Sequence, residues 1–326
     1  MRNNRYESVI DAIGRTPMVK LGNISKGLKA TIWAKLEFMN PGGSIKDRIS
    51  KYMIEKAERE GKIKPGDTIL ENSSGNTAMG LAIVCRQKGY KLKIVIRNTT
   101  SKEKIKMLEV LGVDVVKVDA KLPPEHPESY NQYAINLAKQ NPSLYYIDQH
   151  NNLDNNESHY MTTGPEIWEQ MDGKIDYFIA AVGTGGTLCG AGKFLKEKNP
   201  NIKLIGLDPI GSVFYDWFKN KKMITPKRYL VEGMGDEFLI GTAQLEMLDD
   251  MMQIEDKKAF GWTKKLAFEE GILSGGSSGA NICGAVHLAR ELDREANIVT
   301  IICDNGYKYF STIYNDEWLE KNNLLS

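Results

Sequence analysis

DYFIAAVGTGGTLCGAGKFLKEKNPNIKLIGLD, Asp176 to Asp208, decides the fold class of this 326-residue chain. DYFIAAV is a short β-rich run, a glycine-rich turn (Ala181 to Gly190) follows it, a helical pattern covers Thr187 to Glu197, and KLIGLD from Lys203 is a second β-rich run. A β-run, a helix and another β-run predict a βαβ crossover, hence parallel strands with helices on both faces of the sheet. The alternation continues outward. TIWAKLE (from Thr31), DTIL (from Asp67), KLKIVI (from Lys91), DVVKV (from Asp114), YYID (from Tyr145) and NIVTIIC (from Asn297) read as strands. Ile45 to Glu60, Thr77 to Lys88, Lys102 to Leu111, Tyr130 to Lys139, Ala259 to Glu270 and Gly279 to Arg294 read as helices.

The length suits two domains or a single large α/β unit. With 41% apolar and 26% charged residues, and 43 Lys+Arg against 42 Asp+Glu, charge gives no reason to expect nucleic acid or an anionic membrane as partner. MRNNRYESVIDAIG lacks a secretory apolar run, and the longest apolar stretches are too short to span a bilayer, so a cytoplasmic location is expected. Cys85, Cys189, Cys283 and Cys303 are scattered, and the four histidines form no metal-ligand spacing with them. Reduced thiols and no metal are expected.

In parallel α/β folds ligands sit where strands turn into helices at their carboxyl ends. Four polar turns lie at such places: NPGGSIKDR (Asn40 to Arg48), ENSSGNTAMG (Glu71 to Gly80), AVGTGGTLCG (Ala181 to Gly190) and LSGGSSGAN (Leu273 to Asn281). Each can present backbone N–H groups to an anion at a helix N-terminus. GTGGT (Gly183 to Thr187) can wrap a phosphate, yet alone it reads equally as a connecting turn, and it is neither G-x-G-x-x-G nor a Walker A loop. SSGNT (Ser73 to Thr77) can bind a carboxylate or simply cap a helix. Lys46 opens a helix, where a lysine on its own reads as a solvated surface residue.

The four turns together with Lys46 resemble the cysteine synthase and cystathionine β-synthase family of pyridoxal-phosphate enzymes, essentially end to end. IGRTPMVKL (Ile13 to Leu21) is similar to the family's I-G-x-T-P-x-V-x-L, and NPGGSIKDR to its N-P-x-x-S-x-K-D-R. SSGNT resembles T-S-G-N-T, GTGGT the phosphate loop, and GGSSG (Gly275 to Gly279) the element facing the pyridine nitrogen. IDQHNN, TTGPEI and DNGYKYFST also fit.

The resemblance implies a fold type II, tryptophan synthase β-like architecture of two three-layer parallel-sheet domains. The larger would take residues 1–45 and 150–326 and the smaller, mobile one 46–149. It implies pyridoxal 5'-phosphate as cofactor, with Lys46 as Schiff-base lysine and proton shuttle. Asn76 would meet the cofactor's ring oxygen, Gly183, Thr184, Gly185, Gly186 and Thr187 its phosphate, and Ser277 its pyridine nitrogen. Ser73, Ser74, Thr77 and Gln149 would surround the substrate carboxylate. A hydroxyl at the pyridine nitrogen, where other enzymes have an aspartate, weakens the electron sink and favours replacement at Cβ, through an aminoacrylate, over transamination. Relatives are homodimers acting on small amino-acid and thiol substrates, and the same is expected here.

The closer likeness is to the cystathionine β-synthase catalytic core, through YNDEWLEKNNLL (Tyr314 to Leu325) and VEGMGDEF (Val231 to Phe238), whereas TTGPEIW reads more like cysteine synthase. With no haem-binding extension before the motifs and no regulatory modules after them, control by adenosyl ligands is not expected. Asp236 stands where the synthase pattern has tyrosine, and reads either as a solvated loop residue or as an acid/base at the site mouth. His150 replaces the aromatic ring usual in cysteine synthases and reads as a packed, hydrogen-bonded ring. A carboxylate at 236 suits cysteine as first substrate, hydrogen sulfide release, and serine, lanthionine or cystathionine as product. Cysteine synthesis from O-acetylserine and sulfide is the alternative within the class. Serine or threonine dehydration is the alternative outside it, although dehydratases ordinarily lack the Gln149 and Asn152 segment. A non-enzymatic binder would give Lys46 no task.

Overall fold

The computed structural model describes residues 5–123 and 125–325. Among these the strands are β1 Met18–Lys20, β2 Thr31–Leu36, β3 Thr68–Asn72, β4 Lys91–Arg97, β5 Asp114–Val118, β6 Leu144–Tyr146, β7 Tyr177–Ala181, β8 Lys203–Pro209, β9 Asp250–Ile254 and β10 Asn297–Ile302. The α-helices are α1 Lys46–Arg59, α2 Asn76–Lys88, α3 Lys102–Val110, α4 Tyr130–Gln140, α5 Asp154–Met161, α6 Thr163–Gln170, α7 Gly186–Lys198, α8 Phe214–Asn220, α9 Asp256–Glu270, α10 Gly276–Glu291 and α11 Asp316–Lys321. Every strand and helix expected from periodicity forms. β1, β9, α5, α6, α8 and α11 are additional; they are short, and three of them, DNNESHYM, TGPEIWEQ and DEWLEK, are rich in polar residues that blur the apolar period. No helix among the described residues is long and apolar enough to cross a membrane.

The chain divides into two compact units, Met1–Gly14 with Asn40–Asp154 and Arg15–Met39 with Asn155–Ser326. This division differs from boundaries at 45/46 and 149/150 chiefly at the N-terminal segment. Ile10 packs into the core of the first unit and its carbonyl accepts a hydrogen bond from Lys51 Nζ at 3.0 Å, which ties that segment to α1.

The first unit carries a four-stranded, all-parallel sheet in the order β5-β4-β3-β6. Alternate residues of its strands face opposite layers. Ile69, Ile94 and Ile96 join Ile49, Met53 and Leu81 of α1 and α2 on one face, while Leu70 and Val95 join Ala134 of α4 on the other. Chain order reverses between β3 and β6, so the loops leaving those two strands flank a topological switch point, the usual ligand position in such sheets.

The second unit has a six-stranded sheet, β1-β2-β10-β7-β8-β9, parallel except for the antiparallel edge pair β1–β2. Ile179 of β7 faces the core shared with α9 and α10, whereas Phe178, also fully buried, points to the opposite face. Chain progression runs one way from β1 through β2, β7 and β8 to β9, and only β10 returns, to lie between β2 and β7; the carboxyl end of β7 leads into the GTGGT turn.

Candidate active site

Lys46 is the first residue of α1 and is half-buried. The turn before it is tightly held. Gly14 N donates to Asn40 Oδ1 at 2.8 Å, Gly43 N to the Asn40 carbonyl at 2.8 Å, and Gly42 N to the buried Asp47 carboxylate. A Cβ on Gly42 would lie 2.4 Å from Asp47 Oδ1, so only glycine allows that carboxylate to brace the turn. The Lys46 main chain is clamped by Ser44 Oγ, which accepts from its N–H at 3.3 Å, and by Ser50 Oγ, which donates to its carbonyl at 2.9 Å.

Gly80 sets α2 against this first turn. A Cβ there would stand 2.6 Å from Ser50 Oγ and 3.1 Å from the Lys46 carbonyl, a close approach that brings the start of α2 beside the start of α1. Asn76 opens α2, with Gly75 as N-cap, and Thr77 follows it. The Thr77 hydroxyl donates to Gln149 Oε1 at 2.7 Å. Ser73 is buried and its Oγ accepts from Gly75 N at 3.4 Å, while Ser74 Oγ accepts from Arg97 N at 3.4 Å. Thus the structure brings Thr77 and Gln149 into direct contact and sets Ser73, Ser74 and Asn76 on the same turn. His150 lies within electrostatic reach of Lys46; burial first and that cation second push its imidazole down to about 4, so it is neutral near pH 7.

In the second unit three glycines of the 183–187 turn sit where no side chain fits. A Cβ on Gly183 would come 2.4 Å from the Gly233 carbonyl, one on Gly185 2.5 Å from Ala243 Cα, and one on Gly186 2.0 Å from Asn155 Oδ1. Gly185 also has φ +78°, a left-handed conformation that favours glycine. Thr184 is fixed by Asn155 Nδ2, which donates to its Oγ1 at 3.0 Å, and by Thr242 Oγ1, which donates to its carbonyl at 2.6 Å. Thr187 Oγ1 lies 3.2 Å from His159 Nε2, and the far nitrogen of that fully buried ring is 2.8 Å from Thr163 Oγ1. Backbone N–H groups at the start of a thirteen-residue helix, beside two anchored threonine hydroxyls, form a donor set of the kind that suits an anion.

Ser277 is the second residue of α10, and a Cβ on Gly233 would lie 4.0 Å from its Oγ. Gly233 therefore links the 183–187 turn to Ser277. Two residues on, Gly235 N donates to the Val182 carbonyl at 2.7 Å. Asp236 is half-buried; its N–H donates to Ser212 Oγ at 3.1 Å, its carbonyl accepts from Val213 N at 3.2 Å, and its Oδ1 accepts from Glu237 N at 2.7 Å. Its charge bears on Asp208, which burial foremost pushes up to about 7.

Motif reading missed Glu71, His159, Asn155, Thr242, Asp208 and Asn156, whose Nδ2 donates to the Thr242 carbonyl at 2.9 Å. For Glu71 and Asp208 a signal existed, since each is an acid at the carboxyl end of an otherwise apolar strand, TILEN and KLIGLDP. The residues that brace the 183–187 turn come from segments with no recognisable pattern.

Residues 9–304 match the family described as pyridoxal-phosphate dependent enzyme. The chain is 41% identical over 313 residues to a cysteine synthase of Staphylococcus aureus, covering 96% of this chain and 98% of that protein. It is 40% identical over 319 residues to a cystathionine beta-synthase of Apis mellifera, covering 97% of this chain but only 63% of the relative, and thus spans less than two thirds of that protein. A solved hydrogen sulfide-producing enzyme from Fusobacterium nucleatum superposes with a TM-score of 0.86 at 37% identity, covering 94% of this chain and 99% of that one. O-ureido-L-serine synthase superposes with a TM-score of 0.87 at 30% identity, with coverages of 97% and 99%.

Proposed function

The chain belongs to the pyridoxal-phosphate dependent enzyme family, and from that premise we propose that it replaces the β-substituent of a serine- or cysteine-type amino acid, taking cysteine first and releasing hydrogen sulfide. The observation that carries the reading is the Thr77–Gln149 pair at the switch point of the first sheet, on a helix that Gly80 packs against the start of α1 where Lys46 lies. That pair offers polar groups to an amino-acid carboxylate near the one lysine of a matching N-P-x-x-S-x-K-D-R turn. The cradle of Gly183, Gly185 and Gly186, in which no Cβ fits, suits the cofactor's phosphate, and Ser277 suits its pyridine nitrogen.

Bound pyridoxal 5'-phosphate supplies an electron sink for the carbanion at Cα. Lys46 anchors it and then, as a free amine, takes the α-proton. The carboxylate is held by the 73–77 turn and Gln149, which fixes the Cα–H bond toward Lys46. The Cβ–S bond breaks, sulfide leaves, and a nucleophile adds at Cβ while Lys46 returns the proton to Cα. Water gives serine, a second cysteine gives lanthionine, and homocysteine gives cystathionine. Asp236 serves as the acid/base for the sulfur or water at Cβ, held in place through both its main-chain groups by Ser212 and Val213. The likeness to a hydrogen sulfide-producing enzyme favours cysteine as donor; the likeness to cysteine synthases favours O-acetylserine with sulfide as the second reading.

A matrix of serine, O-acetylserine, O-phosphoserine and cysteine against sulfide, homocysteine, cysteine and water decides between them. Sulfide release from cysteine alone, with a kcat/KM above that for O-acetylserine with sulfide, is the expected outcome. The reverse order replaces the proposal with cysteine synthesis, and ammonia with an oxoacid as main products replaces it with dehydration.

A further inference from the structure

Glu71 is the penultimate residue of β3 and has no exposed surface, and no step of the proposed chemistry uses it. Three N–H groups point at its two oxygens. Asn72 N reaches Oε1 at 2.9 Å, Gln149 Nε2 reaches the same oxygen at 3.4 Å, and Gln149 N reaches Oε2 at 3.2 Å. All three are donors, and the ionised form of the carboxyl, which only accepts, is the one that satisfies them in full. Parallel pairing of β3 with β6, continued by Ile147 N on the Leu70 carbonyl at 3.0 Å, delivers Gln149 to that carboxylate.

A glutamine side chain has one accepting end and one donating end. Here the donating end meets Glu71 and the accepting end meets the Thr77 hydroxyl. Turning the amide over would set its oxygen against the carboxylate, so the orientation is determined by Glu71. We propose that Glu71 is a positioning residue for amino-acid binding: it holds the Gln149 amide with its nitrogen end toward Glu71 and its oxygen toward Thr77, the orientation in which Gln149 serves the ligand carboxylate. The inference rests on the proposed role of Gln149 and Thr77 in holding that carboxylate.

Burial pushes the Glu71 carboxyl up to about 8, against the pull of the Gln149 and Asn72 N–H groups. The titratable groups facing it are Asp148 from the turn after β6, Tyr130 from α4 and Tyr146 from β6. Once protonated, one oxygen carries a hydrogen that confronts an N–H donor, and the hold on Gln149 loosens. Amino-acid binding therefore tightens as pH rises through that range.

The test measures the dissociation constant of a β-unsubstituted amino acid such as alanine, read from the cofactor absorbance of the holoenzyme, together with KM and kcat for the preferred donor. Glu71→Gln places an amide nitrogen against an N–H donor and should weaken binding by about tenfold to a hundredfold, the loss of one hydrogen bond to a charged group. The effect should fall on the dissociation constant and KM, with kcat moving by a much smaller factor. The variant-to-wild-type ratio should grow from about pH 6.5 to about pH 9.5, spanning the ionisation of a raised carboxyl. Glu71→Asp, which keeps the charge but withdraws it by one methylene, should weaken binding in the same direction and covers the case in which Glu71→Gln does not fold. Gln149→Ala separates the two ideas. If it weakens binding and both Glu71 variants leave binding unchanged or lower only kcat, Glu71 does not position Gln149. If Gln149→Ala itself binds alanine as wild type does, the carboxylate role of Gln149 is wrong and the inference falls with it.

Discussion

Gly80 and Ser50 are packed so closely that a methyl group on Gly80 would sit 2.6 Å from the Ser50 hydroxyl. That single contact lets α2, whose first two residues are Asn76 and Thr77, start beside the turn that carries Lys46.

Gly80→Ala should therefore cost about 1–3 kcal/mol of stability, the usual price of overpacking a close contact, although alanine is the better helix former. Ser50→Ala in the same chain removes the clashing oxygen and should recover part of the loss. Urea midpoints for the two single variants and the double variant give the coupling. Simple additivity of the two changes would show that α1 and α2 do not meet as described.

Lys46→Ala should leave the fold intact, because the side chain is half-buried at a helix start and its main-chain contacts with Ser44 and Ser50 survive. Turnover should fall by more than about a hundredfold, the contribution expected of a positioned proton-transfer group even before its anchoring role is counted. Borohydride reduction of the wild-type holoenzyme followed by peptide mapping should label Lys46. A label on another lysine, or a variant that turns over at wild-type rate, would refute the assignment.

Ser277→Ala should keep partial activity. Ser277→Asp should fold, since an acid is favourable at the start of α10, but it should hold a proton on the pyridine nitrogen and strengthen the electron sink. Replacement slows, and a long-wavelength absorbance band absent from wild type appears on adding amino acid. Wild-type rates with no such band would dismiss the account of reaction bias.

Asp236→Asn keeps both main-chain bonds to Ser212 and Val213, so the loop and the melting temperature should hold. With cysteine as donor, one sulfide per site should still be released in the first turnover. The following addition at Cβ should slow by about a hundredfold to ten-thousandfold. Rapid-quench measurement of sulfide separates this from equal slowing of both halves, which would mean a displaced loop.

Asp208 contributes a pH dependence of stability with a definite sign. Burial first, and the neighbouring Asp216 and Asp236 charges after it, raise its folded carboxyl to about 7, against the Ser212 and Tyr215 hydrogen bonds. The folded state therefore holds its proton more tightly than the unfolded chain, and stability declines as pH rises from about 4, its unfolded value, to about 7. The loss is on the order of a few kcal/mol. Asp208→Asn should flatten that slope in denaturation curves measured across this window. An unchanged slope would show that Asp208 is ionised at no cost.

The alternation of apolar β-runs with helical patterns is a local property, and it made every strand of the two sheets except β1 and β9 legible in the sequence. The polar turns were equally legible, because glycine and hydroxyl residues clustered at a strand-to-helix junction mark a local backbone demand, such as φ +78° at Gly185, although Gly183, Gly185 and Gly186 also make room for distant neighbours. Lys46 was singled out because those turns, in their order and spacing, resemble a family's, and order and spacing are things a chain records directly. The tertiary structure alone decided which distant groups meet. Glu71 and Gln149 are 78 residues apart, Thr184 and Thr242 58, and Ser212 and Asp236 24. None of these pairs has a period or a motif, since each exists only because sheet order and helix packing bring two strand ends or loops together. Burial is decided at the same level. An acid at the end of an apolar run marks Glu71 in the sequence, but only the layers that close over it make it a desolvated carboxyl whose ionisation depends on three N–H groups.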